Sequence, residues 1–470
     1  MNILKILFCL VIVQFKLSAQ LKLEQIIKGS RVEFGARVVL SDDGKTLLIT
    51  SENYNIENDV FRLYIYHKTL NGWTLADSIF NLSKNDLQFV YLCTSYDGTI
   101  IAANKSNIFL NQSILILKFN GSKYDSIYTI TNDQGTQYSF ATCLKLSNDG
   151  EKLISNYLDL NLINTHEKSS NSFDYYRTHV LQKPSSAKIF GRSLDLSDDG
   201  LFMVANNLVQ FSPNVSGNIE FYHWQDNKWV LHSHIPNEEQ RKFFGNRVIL
   251  SEDGQKCVFG ITSDTAEIIR SYKRIGFEWI QYGKDIVLDH CELLDFNEAG
   301  TVLDVSADGN VLCVSPSYCR DPKARFKIFR NLNDNWNEIK LPSYEDTKYA
   351  PSQSANISDD GKTVVVGFSK IKASTNFPDY VAVYSLDNSN AANENQNKLK
   401  VYPNPTNNFI QIQGLQEEAK INIQNINGQF VKTMKTTYYQ IDISDLPNAL
   451  YIFDIQNKDV NERHKVIKIE

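Results

Sequence analysis

The tetrapeptide Ser-x-Asp-Gly occurs seven times, ending at Gly44, Gly98, Gly150, Gly200, Gly254, Gly309 and Gly361, and successive glycines are 54, 52, 50, 54, 55 and 52 residues apart. A turn signal recurring at this interval means that each copy is one supersecondary unit, which buries its apolar faces by stacking on its neighbours. Alternating apolar sequence precedes each turn and resumes after it, as in "RVVL" and "KTLLIT" around Gly44. That is the grammar of a β-hairpin, with glycine supplying positive φ and Ser and Asp able to bond local N–H groups. Most copies add a second hairpin with a large aromatic on its last strand: Trp73, Trp229, Trp279 and Trp336, with Tyr124 in the second copy. Such a ring can bury about 150–250 Å² between adjacent sheets.

Four strands per copy, repeated radially, predict an all-β chain built as a seven-bladed β-propeller over residues 20–386. The seventh copy supplies three strands and then enters "DNSNAANENQNK". Residues 21–29 have the character of a final strand, so they are expected to complete blade seven and remove the open edge.

The stretches "FGARVVLSDDGKTLLI", "FGRSLDLSDDGLFMVA" and "FGNRVILSEDGQKCVFG" resemble FG-GAP-type propeller repeats, whose Phe-Gly pair opens the first strand. The resemblance spans residues 21 to about 386, and the copies at Gly98, Gly309 and Gly361 lack the Phe-Gly pair. Related integrin-type blades carry a calcium loop of alternating Asp residues. This chain has no Asp-x-Asp-x-Asp-Gly spacing, which leaves that part of the resemblance without its ligands and calcium unassigned.

Residues 1–19 read as a signal peptide: Lys5, an apolar run from Ile6 to Phe15, then Leu17-Ser18-Ala19 before the cleavage point. The run is too short to span a bilayer, so no transmembrane segment is expected in the mature chain. A net charge of −6 without a long basic run argues against nucleic acid as partner. Outside the signal peptide lie Cys93, Cys143, Cys257, Cys291, Cys313 and Cys319. Cys313 and Cys319 are the closest pair, but Cys93, Cys143, Cys257 and Cys313 sit in apolar runs as buried free thiols do.

A linker at 387–397 leads into residues 398–470, where alternation resumes as a small immunoglobulin-like β-sandwich. Tyr402-Pro403-Asn404-Pro405-Thr406, the turn at Gly428, Leu446-Pro447, Tyr451 and the basic end "HKVIKIE" resemble the C-terminal sorting domain of type IX secretion substrates of Bacteroidota. The family usually has Gly before its Leu-Tyr or Ile-Tyr pair, where this chain has Asn448-Ala449. The resemblance implies type IX machinery as a partner and a secreted or outer-surface destination.

For a ligand, the sequence points to the longer loops on one face of the ring, the longest being 164–179. Loops on a rigid scaffold carry recognition. Tyr54, Phe173, Tyr175, Tyr176, Arg177, Phe211, Tyr318, Arg320, Phe377 and Tyr380 would present aromatic platforms and guanidinium donors to an extracellular glycan or protein. His232 and His234 have the spacing of two metal ligands on one side of a strand, without a third ligand to complete a site. No nucleophile elbow, zinc helix or phosphate loop is present, so no cofactor, metal or catalytic residue is assigned. The expectation is a non-catalytic binding or adhesion module. The alternatives are a glycoside hydrolase or lyase using Asp59, Asp174, Asp321 and Asp379, and a passive surface scaffold.

Overall fold

Every Ser-x-Asp-Gly segment closes a hairpin through the same hydrogen bonds. The Ser hydroxyl donates to the Asp Oδ1 at 2.6–2.9 Å. That Oδ1 accepts the N–H two residues on, at 2.9–3.0 Å. The Ser Oγ accepts the N–H five residues on, at 2.8–3.0 Å. The glycine, at φ between 62° and 72°, donates its N–H to the Ser carbonyl.

The computed structural model describes residues 20–29, 34–51, 62–80, 86–107, 112–132, 140–169, 172, 174–183, 189–208, 217–238, 244–262, 267–276, 278–288, 302–315, 326–340, 354–368, 379–387, 399–402, 406, 408–413, 419–425, 429–436, 440–456 and 461–468. The signal-peptide reading lies outside them, as does the linker reading apart from Asp387, which ends a strand. The chain divides between 388 and 389 into two compact units.

Among the described residues the larger unit shows seven antiparallel sheets: sheet 1 (34–80), sheet 2 (86–131), sheet 3 (140–182), sheet 4 (189–236), sheet 5 (248–288), sheet 6 (302–339) and sheet 7 (355–387). Sheets 1 to 6 each run in chain order through four strands, with Ile286–Leu288 added to sheet 5. Sheet 7 takes its fourth strand from the start of the chain, Gln20–Lys28 pairing with Tyr380–Asp387. The Gln25 amide reaches sheet 1, accepting the Trp73 N–H at 2.7 Å and donating to its carbonyl at 3.0 Å.

Among the described residues, seven apolar clusters lie between consecutive sheets. Leu48, Leu63 and Ile65 of sheet 1 meet Ile101, Ala103 and Leu117 of sheet 2. The series closes where Val365, Val381 and Val383 of sheet 7 meet Phe34, Val38 and Ile49 of sheet 1. The aromatic rings read from sequence reach backwards across these interfaces. Nε1 of Trp229 donates to Thr165 Oγ1 at 2.7 Å, of Trp279 to Ser233 Oγ at 3.1 Å, and of Trp336 to Ser271 Oγ at 3.0 Å.

The Phe-Gly pairs have a matching role. Asn156 donates to the Gly191 carbonyl at 2.8 Å and Asn206 to the Gly245 carbonyl at 2.9 Å. In sheet 3 the pair is Phe140-Ala141, whose carbonyls both accept from Asn104, with Ala141 in the left-handed region at φ 54°.

Residues 164–179 are not one long loop. They contain the end of the strand Leu162–Lys168 and the start of Tyr175–Gln182, joined by a short connection on the side of the Ser-x-Asp-Gly turns. The smaller unit has a three-stranded sheet (400–402, 409–413, 440–442) and a four-stranded sheet (419–425, 430–436, 450–456, 461–467) sharing one core that includes Ile410, Ile421, Ile441, Phe453 and Val466.

Candidate functional site: the axial channel

The innermost strand of each sheet has one edge without a strand partner, and its backbone N–H groups need acceptors. Side chains of the preceding sheet supply them. Asp195 accepts the Leu250 N–H at 2.9 Å, Asp304 the Ile357 N–H at 2.6 Å, and Asn356 the Leu40 N–H at 2.5 Å. These edges wall a cavity of about 270 Å³ that Arg37, Lys145, Asp195, Arg247 and Asp304 also line. The Lys145 ammonium pairs with Asp195 at 3.0 Å. Burial opposes its charge, but Asp195, Asp304 and Asp42 outweigh that and push its pKa up.

At the turn end of the channel the second residues of the Ser-x-Asp-Gly segments meet around the axis. Tyr96 N–H donates to Asn148 O, Asn148 to Asp198, Asp198 to Glu252, Glu252 to Ala307 and Ala307 to Asp359, all at 3.0–3.1 Å. The circle closes from Asp359 N–H to Asp42 O and from Asp43 N–H to Tyr96 O. Four of the seven second residues are acids: Asp42, Asp198, Glu252 and Asp359.

One carboxylate oxygen from each of Asp198, Glu252 and Asp359 lies within 4.8 Å of the other two, a donor set that could hold a cation. Without one, like charges this close cannot all ionise. Burial, followed by the hydrogen bonds with Asp359 and Asp198, pushes Glu252 up to about 12. Burial and Asp359 raise Asp42 well above its usual value, and burial takes Asp304 to about 7 against the pull of Lys145.

Of the residues read from sequence as a binding face, Tyr54, Phe173, Phe211, Tyr318, Arg320 and Phe377 lie outside the described residues, as do Asp59 and Asp321 among the alternative catalytic acids. Tyr175, Tyr176 and Arg177 lie on the outer strand of sheet 3, a correction to their placement in a long loop. The reason is that an outer strand is wetted on its free edge, so its polar run imitates a loop. Tyr175 is buried with its hydroxyl donating to Gly150 O, whereas Tyr176 is 54% exposed and donates to Asp174 at 3.1 Å. Tyr380 opens a strand of sheet 7 and stacks on Phe368, with ring centroids 4.8 Å apart.

His232 packs edge-on against Phe202 at 5.4 Å and meets Ser233 Oγ at 2.9 Å, and burial lowers its pKa. Cys93, Cys143, Cys257 and Cys313 are free thiols, while Cys291 and Cys319 lie outside the described residues.

In the smaller unit Thr406 bridges Lys468, its N–H donates to Ile467 O at 2.9 Å and its hydroxyl to Phe409 O at 2.6 Å. Tyr451 is buried and donates its hydroxyl to Pro447 O at 2.8 Å, while Leu446 joins the core. Tyr402 ends the strand Lys400–Tyr402, and Pro403, Asn404, Pro405 and Gly428 lie outside the described residues.

Residues 400–470 match the family described as a secretion system C-terminal sorting domain. The tail is thus a type IX sorting domain, which implies engagement of that machinery and a cell-surface or secreted destination. No curated protein matches significantly. Among solved structures, the WD40 repeats of RRP9 align at 10% identity over 78% of this chain and 100% of that one, with a TM-score of 0.50. That likeness is one of fold, an all-β array of propeller-like sheets. PorZ, a surface component of the type IX secretion system of Porphyromonas gingivalis, aligns at 11% identity over 94% of this chain and 60% of its own, with a TM-score of 0.45. The periplasmic gluconolactonase PpgL of Pseudomonas aeruginosa aligns at 13% identity over 69% and 97%, with a TM-score of 0.47.

Proposed function

We propose that this chain is a seven-bladed β-propeller with FG-GAP-like repeats, carried out of the cell by its immunoglobulin-like sorting tail to bind an extracellular polysaccharide or protein without catalysis. The sorting tail at 400–470 is the observation that carries the reading, because it implies that the chain is exported to the cell surface or beyond. The ring reading is supported by the seven sheets, the backbone circle and the pairing of Gln20–Lys28 with Tyr380–Asp387.

The convergence of Asp198, Glu252 and Asp359 favours a second reading, a hydrolase or lyase acting at the channel mouth. Against it, the carboxylate oxygens of the three acids lie within 4.8 Å of one another. Acid–base pairs that cleave glycosides stand roughly 5–9.5 Å apart, with substrate or water between them.

The test is expression in a type IX-competent bacterium with and without residues 399–470. The full chain is expected outside the outer membrane and the truncated chain in the periplasm. Periplasmic retention of both would sink the export reading. Incubating the purified chain with surface polysaccharides should give retention without new reducing ends or unsaturated products, and product formation would transfer the assignment to the second reading.

A further inference from the structure

The packing of sheet 2 on sheet 3 leaves a gap beside their outer strands. A cleft of about 220 Å³ lies between them, lined by Tyr128 of sheet 2 and by Tyr157, Asn164, Tyr175, Tyr176 and Arg177 of sheet 3. Asn164 lies on the strand Leu162–Lys168 and is only 2% exposed, yet its Oδ1 has no hydrogen-bond partner among the described residues. Ser155, its cross-strand neighbour, is fully buried and its Oγ is likewise unpaired among the described residues. Buried polar atoms are almost always satisfied, and leaving an acceptor unmet is costly. Asn164 itself lines the cleft, so a turn of its covered amide towards the cleft would let the unmet acceptor take a donor supplied from outside the chain.

The remaining surface narrows what that donor belongs to. The Tyr175 hydroxyl is spent on Gly150 O and the Tyr176 hydroxyl on Asp174, so both residues offer ring surface to the cleft. Tyr128 and Tyr175 stand with ring centroids 6.4 Å apart. Arg177 adds a guanidinium at the rim. A phosphate or carboxylate would bring no donor for Asn164 Oδ1, and a purely apolar group would leave it unpaired. A sugar ring brings an apolar C–H face for the tyrosines, hydroxyl donors for Asn164 and acceptors for Arg177. The volume lies below the roughly 300–1,000 Å³ of drug-sized sites, which suits one ring at a time.

We propose that this cleft binds a single pyranose residue of an extracellular glycan. The proposal rests on the glycan-binding form of the function proposed above and names its site.

The test is ligand-observed NMR and calorimetry of the full chain with a panel of glucose, galactose, mannose, fucose, N-acetylglucosamine and glucuronate. At least one should bind with a Kd of about 1 mM or tighter. Asn164→Leu removes the acceptor at similar volume, and Tyr176→Ala changes an exposed side chain that folding does not need. Each should weaken binding about tenfold or more. Without sugar, Asn164→Leu should match or exceed the wild-type melting temperature, because it removes an unmet polar atom.

Sugar binding that is unchanged in both variants would overturn the proposal. Retention of an intact polysaccharide equally by wild type and both variants would leave glycan binding standing and remove this cleft from it. Failure of every sugar and every polysaccharide would sink both. A selected peptide that binds wild type and is lost in both variants would give the cleft to a protein partner and overturn the sugar assignment.

Discussion

At the scale of single residues, the turn glycines were legible because their demand is local: an Asp-Gly pair between apolar runs calls for positive φ wherever it lies. Space adds to that demand only after folding. At Gly98, with φ +72°, a Cβ would lie 2.3 Å from the Thr46 Cβ of the neighbouring sheet. Left-handed strain and overpacking together predict that Gly98→Ala lowers unfolding free energy by about 3 kcal/mol, read from urea midpoints. Gly121→Ala is the control, because φ is +100° there but nothing lies within 4 Å. It should cost only the backbone strain, about 1–2 kcal/mol. Equal losses at the two sites would show that the inter-sheet contact contributes nothing. The acids around the axis escaped sequence reading for the opposite reason. Asp42, Asp198, Glu252 and Asp359 come from different repeats and meet only through the ring. The available signal was the second position of the stacked tetrapeptides, which reads Asp, Tyr, Asn, Asp, Glu, Ala, Asp.

At the scale of elements, hairpins with one buried face announce themselves by period, and outer strands do so faintly. That difference explains why the inner strands of sheet 3 were legible while "HEKSSNSFDYYR" looked like a loop. It also explains why the cleft beside Asn164 went unseen, since it needs sheets 2 and 3 facing each other. The first strand is a sharper case. Leu21 and Ile27 bury against sheet 6 and sheet 1, while the Gln25 side chain ties the strand to the Trp73 backbone. Gln25→Ala leaves the Trp73 N–H without that acceptor and is expected to cost about 1–2 kcal/mol. Deleting residues 20–28 is expected to do more than destabilise. It bares the edge of Tyr380–Asp387, and bared edges pair with other chains. Size-exclusion chromatography should then show dimers or larger species from the deletion and a monomer-like profile from Gln25→Ala. A deletion that stays as compact and as stable as the parent would mean that the ring does not depend on its closing strand.

At the scale of the whole molecule, the channel collects charge that the rest of the fold disperses, and this gives stability a particular pH dependence. Asp304 near 7, Glu252 near 12 and the raised Asp42 all bind protons more tightly folded than unfolded, where carboxyls titrate near 4. Their contribution is therefore fully present below about pH 4, and it is lost as pH rises, through about 7 for Asp304 and beyond that for Glu252. Turn acids such as Asp97 and Asp360 act in the other direction. Burial opposes their charge, but hydrogen bonds from their turns outweigh it and hold their pKa values down, so their contribution is lost on the acid side. The two sets place the most stable pH between about 4 and 6, and the melting temperature should fall from there towards pH 8. Glu252→Gln separates the channel from everything else, since the amide keeps a hydrogen-bond donor for Asp198 and Asp359 at every pH. Measured in EDTA, the variant should match the wild type at pH 4.5 and exceed it by about 1–3 kcal/mol at pH 8, with a flatter profile between. A wild-type slope persisting in Glu252→Gln would move the pH dependence away from the axial acids, and a variant less stable at every pH would mean that Glu252 is held ionised by its neighbours.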